Sequence, residues 1–283
     1  RLLEHDHKHL AVKQAGGGSA ANTMAIVSQL GSAAFYSCKV AADSAGDFFV
    51  KDLGDAGVDT NLGDDREQGA TGQCISIVTP DAERTMTTCL GITNFLSPDE
   101  LNPDALKNSS YLYIEGYLVS SPTGFQAALE AQKIARASDV QISLTLSDPA
   151  MIENFRKNYD QLLGHGIDLL FCNHDEARLL TGAESVEDCV AALKKICKAF
   201  VITRGKAGSV AFDGQALTTA TGVPAKAVDT TGAGDIFAGT FLHCLCRGLG
   251  FSEANVLANK FASNLVSCFG ARLTQEEVDN LVK

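Results

Sequence analysis

The sequence lacks any apolar run approaching the roughly 20 residues that a membrane-spanning helix needs. Its first residues are charged and rich in histidine, and no apolar segment of the kind found in a secretory signal peptide follows them. Hydrophobic residues make up 45% of the 283 positions, which is enough for one large domain with a small appendage. We therefore expect a soluble protein without a membrane partner.

Positive charge is scarce, and paired cysteine motifs are absent. The chain has 23 Lys and Arg against 34 Asp and Glu, a net charge of −11, which argues against nucleic acid or an anionic membrane as the main partner. Nine cysteines occur without a C-x-x-C pair, and most of them fall in apolar segments. Buried reduced thiols explain them best, so we expect a cytoplasmic protein.

Two common nucleotide-binding motifs are also missing. Lys206 follows a glycine, but it precedes Ala207, and the G-x-x-x-x-G-K-[ST] spacing of a Walker A loop is not met. No G-x-G-x-x-G follows the first predicted strand, which excludes a dinucleotide-dependent dehydrogenase of the usual kind. There is no internal repeat or low-complexity linker.

The segment D-T-T-G-A-G-D, residues 229–235, organises the chain. Val228 is predicted to end a strand that enters a glycine-rich bend, and apolar residues at helical spacing begin after Gly234. A helix N-terminus at this point favours an anion, and Gly232 and Gly234 allow its close approach. Asp235 then lies where a base for an attacking hydroxyl is needed. The alternative is a tight turn with a capping carboxylate.

This segment, with its apolar helix, resembles the second signature of the ribokinase-like (PfkB) family of carbohydrate and nucleoside kinases. The resemblance implies that Asp235 is the catalytic base and that the N–H groups of Gly232, Ala233 and Gly234 form the anion hole. It further implies a monovalent-cation site, for an ion such as K⁺, near Asp229 and Thr231.

An earlier glycine motif, residues 16–24, opens a helix of small and apolar residues. On its own it is a close-packed helix start. It also resembles the family's first signature, which implies that Gly18, Ser19 and Asn22 line the acceptor pocket. Family members begin with a strand that carries a substrate-binding aspartate, and we expect that strand to be missing before this motif.

Other candidate residues follow predicted strands, where open α/β sheets bind ligands. Glu115 is a candidate contact for a sugar hydroxyl, with ordinary helix capping as the alternative. Asn173 and Glu176 form an N-x-x-E pattern that alone predicts a capping box. The family resemblance implies that Asn173 lies near the nucleotide and that Glu176 holds Mg²⁺ through water. By the same resemblance, three further residues contact ATP: Thr203, Gly205 and Asn259.

The resemblance implies a three-layer α/β/α ribokinase-like sandwich with a small β-sheet lid, in one domain over residues 1–283. Residues 33–40 are predicted as a buried strand. A hairpin within 70–93 is predicted as part of the lid, whose strands we place approximately within 1–14 and 68–95.

The implied reaction moves the γ-phosphoryl group of ATP, with Mg²⁺, to a primary hydroxyl. Motif details favour a nucleoside such as adenosine as the acceptor, and a free sugar of the ribose or fructose type is the alternative. A nucleotide-binding module without catalysis is the third hypothesis, and the intact Asp235 and Glu176 count against it. We expect a monomer or a homodimer formed through the lid.

Overall fold

The structure is a computed structural model that describes residues 14–78 and 84–283, except for the side chains of Val78 and Arg84. The lid strand predicted within residues 1–14 therefore lies outside the described residues, apart from Gln14. No helix in the described ranges combines the length and apolar character needed to cross a membrane.

The described strands are β1 (Phe35–Tyr36), β2 (Asp59–Thr60), β3 (Gln73–Val78), β4 (Arg84–Cys89), β5 (Tyr111–Glu115), β6 (Gln141–Thr145), β7 (Leu169–Asn173), β8 (Ala199–Thr203), β9 (Ser209–Phe212) and β10 (Leu217–Ala220). The described α-helices are α1 (Ser19–Gln29), α2 (Ser44–Asp55), α3 (Pro103–Lys107), α4 (Pro122–Ala137), α5 (Pro149–Gly164), α6 (His174–Thr181), α7 (Val186–Leu193), α8 (Ala233–Cys246), α9 (Phe251–Leu265) and α10 (Gln275–Val282). Short 3₁₀ helices span Gly91–Phe95, Pro98–Glu100, Gly116–Ser120 and Gly205–Ala207.

A six-stranded sheet in the order β10-β9-β8-β7-β6-β5 forms the centre of the molecule. Strands β5 to β8 are parallel, whereas β9 and β10 are antiparallel to their neighbours. Four successive residues of β7 and of β8 are buried, because helices cover both faces of the sheet. The carboxyl ends of β5, β7 and β8 therefore place Glu115, Asn173 and Thr203 at one edge.

Helices pack on both faces, as expected for a three-layer α/β/α sandwich. On one face Ile142, Leu144 and Phe200 pack among apolar side chains of α4, α5, α6 and α7. On the other face Phe171 and Val201 pack against α8 and α9. A further apolar cluster joins α1 to α8, α9 and α10. This packing brings the N-termini of α1 and α8 together, although the two helices are far apart in sequence.

The predicted hairpin is present as the antiparallel pair β3–β4, in a register from Gln73 opposite Cys89 to Val78 opposite Arg84. Its apolar side chains are largely exposed, including Ile77 at 55% and Met86 at 49%. The role of this hairpin as a lid stays a prediction.

Two predicted strands differ from the structure. Residues 33–40 contain only the two-residue strand β1, because the side-chain amide of Asn61 bonds both the N–H and the C=O of Cys38, at 2.8 and 2.9 Å. Val228 lies in no strand, since its N–H donates to Val266 O at the end of α9, at 2.7 Å.

Candidate active site

Helix α8 begins directly after the bend formed by residues 229–232. Its N-cap, Gly232, has a φ of 76°, and no side chain caps the helix. A Cβ on Gly232 would lie 2.5 Å from Ala271 O, so this position requires glycine for packing. A Cβ on Gly234, by contrast, would meet nothing within 4 Å. Gly234 therefore has open space beside it for an approaching anion, whereas the missing side chain of Gly232 makes room for Ala271.

The backbone N–H groups at this helix start differ in their partners. The N–H of Ala233 donates to Thr230 O at 3.3 Å. The N–H of Gly234 has no acceptor within residues 14–78 and 84–283. An exposed N–H at a helix N-terminus carries part of the positive end of the helix dipole. The geometry thus offers an anion at least one oriented donor beside Asp235.

The carboxylate of Asp235 is held by two side chains from the first turn of α1. Ser19 Oγ donates to Asp235 Oδ1 at 2.7 Å, and Asn22 Nδ2 donates to Asp235 Oδ2 at 2.9 Å. Gly18 is the N-cap of α1, with a φ of 98°. The structure therefore brings Ser19 and Asn22 to Asp235, while an acceptor pocket lined by Gly18, Ser19 and Asn22 stays a prediction.

Burial raises the pKa of Asp235, while the bonds from Asn22 and Ser19 and the charge of Arg272 act in the opposite direction. A carboxyl group with a raised pKa is a stronger base when it is ionised. The same site contains Glu115, whose Oε2 accepts from the Ala20 N–H at 2.8 Å. Its pKa is also raised, first by burial and also by the charge of Asp235. This bond caps the N-terminus of α1, and a contact between Glu115 and a sugar hydroxyl stays a prediction.

Sequence reasoning missed Arg272. Its Nε donates to Asn22 Oδ1 at 2.8 Å, and its Nη1 forms an ion pair with Asp52. Only 15% of the Arg272 side chain is exposed. Nothing in the sequence around Arg272 indicates that its partner is Asn22, 250 positions away.

A second group of predicted residues lies where β7 and β8 end. The Asn173 N–H donates to Glu176 Oε2 at 2.9 Å, and Asn173 Oδ1 accepts from the Glu176 N–H at 2.8 Å, which forms the predicted capping box. Asn173 Nδ2 also donates to Glu176 Oε1 at 2.7 Å. Burial, together with the charges of Asp148 and Asp175, raises the pKa of Glu176 to about 7.

Beside this capping box is an open cleft of about 460 Å³. Its lining residues are Asn173, His174, Asp175, Val186, Thr203, Arg204, Gly205 and Ala207. Asn173, Thr203 and Gly205 were predicted, whereas His174 and Arg204 were not. The position of Arg204 directly after a strand-end residue is a signal that could have identified it.

Asn259 lies away from this lining. Its Nδ2 donates to Ser209 Oγ and, at 2.8 Å, to Asn255 O. A contact between Asn259 and a nucleotide stays a prediction.

The buried carboxylate of Asp229 joins the bend to the segment after α9. It accepts from the Thr231 N–H at 2.9 Å and from the Gly270 N–H at 3.1 Å. This arrangement gathers oxygen atoms of residues 229–231 close to residue 270. The described part of the chain contains no cluster of three or more His, Cys, Asp or Glu side chains that could bind a metal. A monovalent-cation site at Asp229 and Thr231 therefore stays a prediction.

Comparison with known proteins agrees with the family resemblance. The model of the pfkB family carbohydrate kinases matches residues 3–278. Ribokinase of Mus musculus is 32% identical over 268 residues, which cover 91% of this chain and 79% of that protein.

Two solved structures show the same fold. The adenosine kinase from Sinorhizobium meliloti has a TM-score of 0.88 and 32% identity, covering 94% of this chain and 83% of that one. A structure from E. coli in complex with ATP and Mg²⁺ has a TM-score of 0.84 at 22% identity, covering 97% of this chain and 93% of that one. These similarities confirm the ribokinase-like fold and the class of sugar or nucleoside kinases. The chain belongs to the pfkB family of carbohydrate kinases.

Proposed function

We propose that this protein transfers the γ-phosphoryl group of ATP to a primary hydroxyl, and that a nucleoside such as adenosine is the acceptor. The observation that carries the proposal is the position of Asp235. Its carboxylate lies in the first turn of α8, next to the N–H of Gly234, and it is held by Ser19 and Asn22 from a neighbouring helix.

In this mechanism the Asp235 carboxylate takes the proton of the acceptor hydroxyl. The hydroxyl oxygen bonds to the γ-phosphorus as the bond from that phosphorus to the bridging oxygen breaks, and ADP leaves. The N–H groups of Gly232, Ala233 and Gly234 form the anion hole and stabilise the charge on the transferred group. The hydrogen bond from the Ala233 N–H to Thr230 O is long, at 3.3 Å. We propose that this N–H donates to a phosphoryl oxygen instead when ATP is bound.

The cleft at the ends of β7 and β8 is our proposed ATP site. Its volume of about 460 Å³ falls in the range of small-molecule pockets. Two buried atoms of its lining, His174 Nε2 and Arg204 Nε, have no hydrogen-bond partner among the described residues, which suits a polar ligand. Asn173, Thr203 and Gly205 would contact the nucleotide, with Asn259 near the adenine. The similar structure from E. coli contains ATP and Mg²⁺, which supports ATP and Mg²⁺ as ligands of this protein.

Glu176 has the properties expected of a residue that holds Mg²⁺ through water. It is 4% exposed, and the charges of Asp148 and Asp175 oppose its ionisation. A cation held near Glu176 would offset that repulsion. When bound, Mg²⁺ would neutralise phosphate charge. The donor set at Asp229 and Thr231 consists of oxygen atoms and suits a monovalent ion such as K⁺.

The acceptor pocket is assigned to the first turn of α1 and to Glu115. Gly18, Ser19, Asn22 and Glu115 would contact the ribose hydroxyls. The ring of Tyr36 packs on Phe49 with centroids 6.5 Å apart, and burial, followed by the charge of Glu115 and to a lesser extent that of Asp235, raises the pKa of its phenol. An aromatic ring at this place suits a purine base and favours a nucleoside. The sequence is 32% identical both to mouse ribokinase and to the adenosine kinase from Sinorhizobium meliloti. A free sugar is therefore the second candidate acceptor.

The test is ADP release with adenosine, other nucleosides, ribose, fructose and hexose phosphates as acceptors. Selective turnover of adenosine supports the proposal. Turnover of free sugars alone keeps the mechanism and rejects the nucleoside. No turnover with any acceptor, by protein whose full length is verified by mass, favours a binding module.

A further inference from the structure

We propose that Arg272 is a positioning residue for the transfer step: it fixes the orientation of the Asn22 amide, and through that amide it holds the carboxylate of Asp235. The inference rests on the proposed role of Asp235 as the base. It assigns a function to a residue that belongs to neither glycine motif.

The direction of each hydrogen bond follows from the chemistry of the groups. An arginine side chain has donors and no acceptor, so the Asn22 atom that faces Arg272 Nε at 2.8 Å is the amide oxygen. The other end of the same amide is then the NH₂ group, which faces Asp235 Oδ2 at 2.9 Å. By holding the Asn22 amide oxygen, Arg272 therefore turns the Asn22 NH₂ group, a donor, towards the carboxylate of Asp235.

Arg272 is itself held in place from the other side. Its Nη1 pairs with Asp52 of α2, whose side chain is 27% exposed. The backbone of the glycine loop covers this pair, since a Cβ on Gly16 would lie 1.9 Å from Asp52 Oδ2 and 3.0 Å from Arg272 Nη1. The guanidinium group is thus fixed by an ion pair, by the loop that leads into α1 and by Asn22. A side chain with this much support can impose an orientation on its partner.

The network is separate from the proposed ATP cleft. None of Asp52, Arg272, Asn22 or Asp235 lines that cleft, which is formed by residues near 173–175 and 203–207. Loss of Arg272 should therefore affect the transfer step and leave the affinity for ATP unchanged. Misplacement of a reacting group by about 1 Å lowers the rate by a factor on the order of 100.

The experiment compares the full chain with Arg272→Met, Arg272→Lys, Asn22→Ala and the double variant of Arg272→Met with Asn22→Ala. Arg156→Met, which removes an exposed arginine from α5, is the matched control. We expect Arg272→Met to lower kcat about 10- to 100-fold with an unchanged KM for ATP. Arg272→Lys should recover part of the loss. In the Asn22→Ala background, Arg272→Met should cause little further loss, because the effect passes through Asn22.

Equal losses of kcat in both backgrounds, or a kcat for Arg272→Met equal to that of the control, would overturn the inference. A measurement without substrate separates it from the proposed function. The pKa of the Asp235 carboxyl, followed by ¹³C NMR and assigned with Asp235→Asn, should be higher in Arg272→Met than in the unmodified protein. Identical titrations would overturn the inference whether or not the protein turns over ATP, whereas absence of turnover alone counts against the proposed function.

Discussion

Ser19 donates its hydroxyl to the carboxylate of Asp235 at 2.7 Å, although the two residues are 216 positions apart. The contact joins the first turns of α1 and α8. It places the proposed base and the proposed acceptor pocket in one hydrogen-bonded unit, so that substitutions in either helix should affect the same chemical step.

Asp235→Asn should remove most of the activity without unfolding the protein. We expect kcat to fall by a factor of about 100 to 10,000, the range that general-base catalysis contributes. The matched control is Asp213→Asn, which changes an exposed aspartate in the turn between β9 and β10. ADP release measures the activity and a thermal melt verifies the fold. An Asp235→Asn protein as active as the control would contradict the role of base.

Glu176 should make the protein less stable as the pH rises. Its pKa is raised from 4.5 to about 7, so the unfolded chain releases the proton at a lower pH than the folded protein does. Between these two values the free energy of unfolding falls, and above pH 7 the loss attributable to Glu176 reaches a ceiling of about 3 kcal/mol.

Glu176→Gln should remove this pH-dependent loss, because glutamine cannot ionise; its amide oxygen can still accept from the Asn173 N–H, although its NH₂ group then faces Asn173 Nδ2. We therefore compare the free energies of unfolding by urea, without Mg²⁺. The value for the variant, relative to that for the unmodified protein, should be higher at pH 8 than at pH 5. Glu130→Gln, on the exposed face of α4, is the control. The same difference in free energy of unfolding at both pH values would argue against a raised pKa for Glu176.

The two glycines at the start of α8 should respond to alanine in opposite ways. Gly232→Ala forces a left-handed conformation on alanine and a contact with Ala271 O, so we expect a loss of stability of about 1 to 3 kcal/mol. Gly234→Ala lies inside the helix in open space, where alanine is favoured by up to about 1 kcal/mol. Its activity should nevertheless fall, because a methyl group occupies the path of the phosphoryl group. Full activity of Gly234→Ala would exclude a close anion contact there.

Arg204 and Lys206 provide a test of the ATP cleft within one loop. Arg204 lines the cleft, whereas Lys206 does not. Removal of one charge-assisted hydrogen bond should raise the KM for ATP about 10-fold in Arg204→Met. Lys206→Met should leave this KM unchanged. Initial rates at varied ATP concentration give the KM for ATP of each variant. Equal KM values for the two variants would show that ATP binds elsewhere.

Several features of this site follow from the sequence because they depend on residues three or four positions apart. The capping box of Asn173 and Glu176 is one such case, and the bend into α8 with Asp235 in its first turn is another. The place of the capping box directly after a strand also follows from the pattern, since β7 is a short apolar run that ends at Asn173. Local hydrogen bonds and the period of apolar residues are enough to fix such features.

Other features were decided only by the tertiary structure. The sequence places Arg272, Asn22 and Asp52 in three unrelated segments, and only the packing of α1 against α2, α8 and α10 brings their side chains within bonding distance. Residues 33–40 have the composition of a strand, yet Asn61 takes the bonds of Cys38 that a sheet neighbour would have taken. A backbone group bonds whichever partner the fold brings nearest, and a partner distant in sequence leaves no periodic signal.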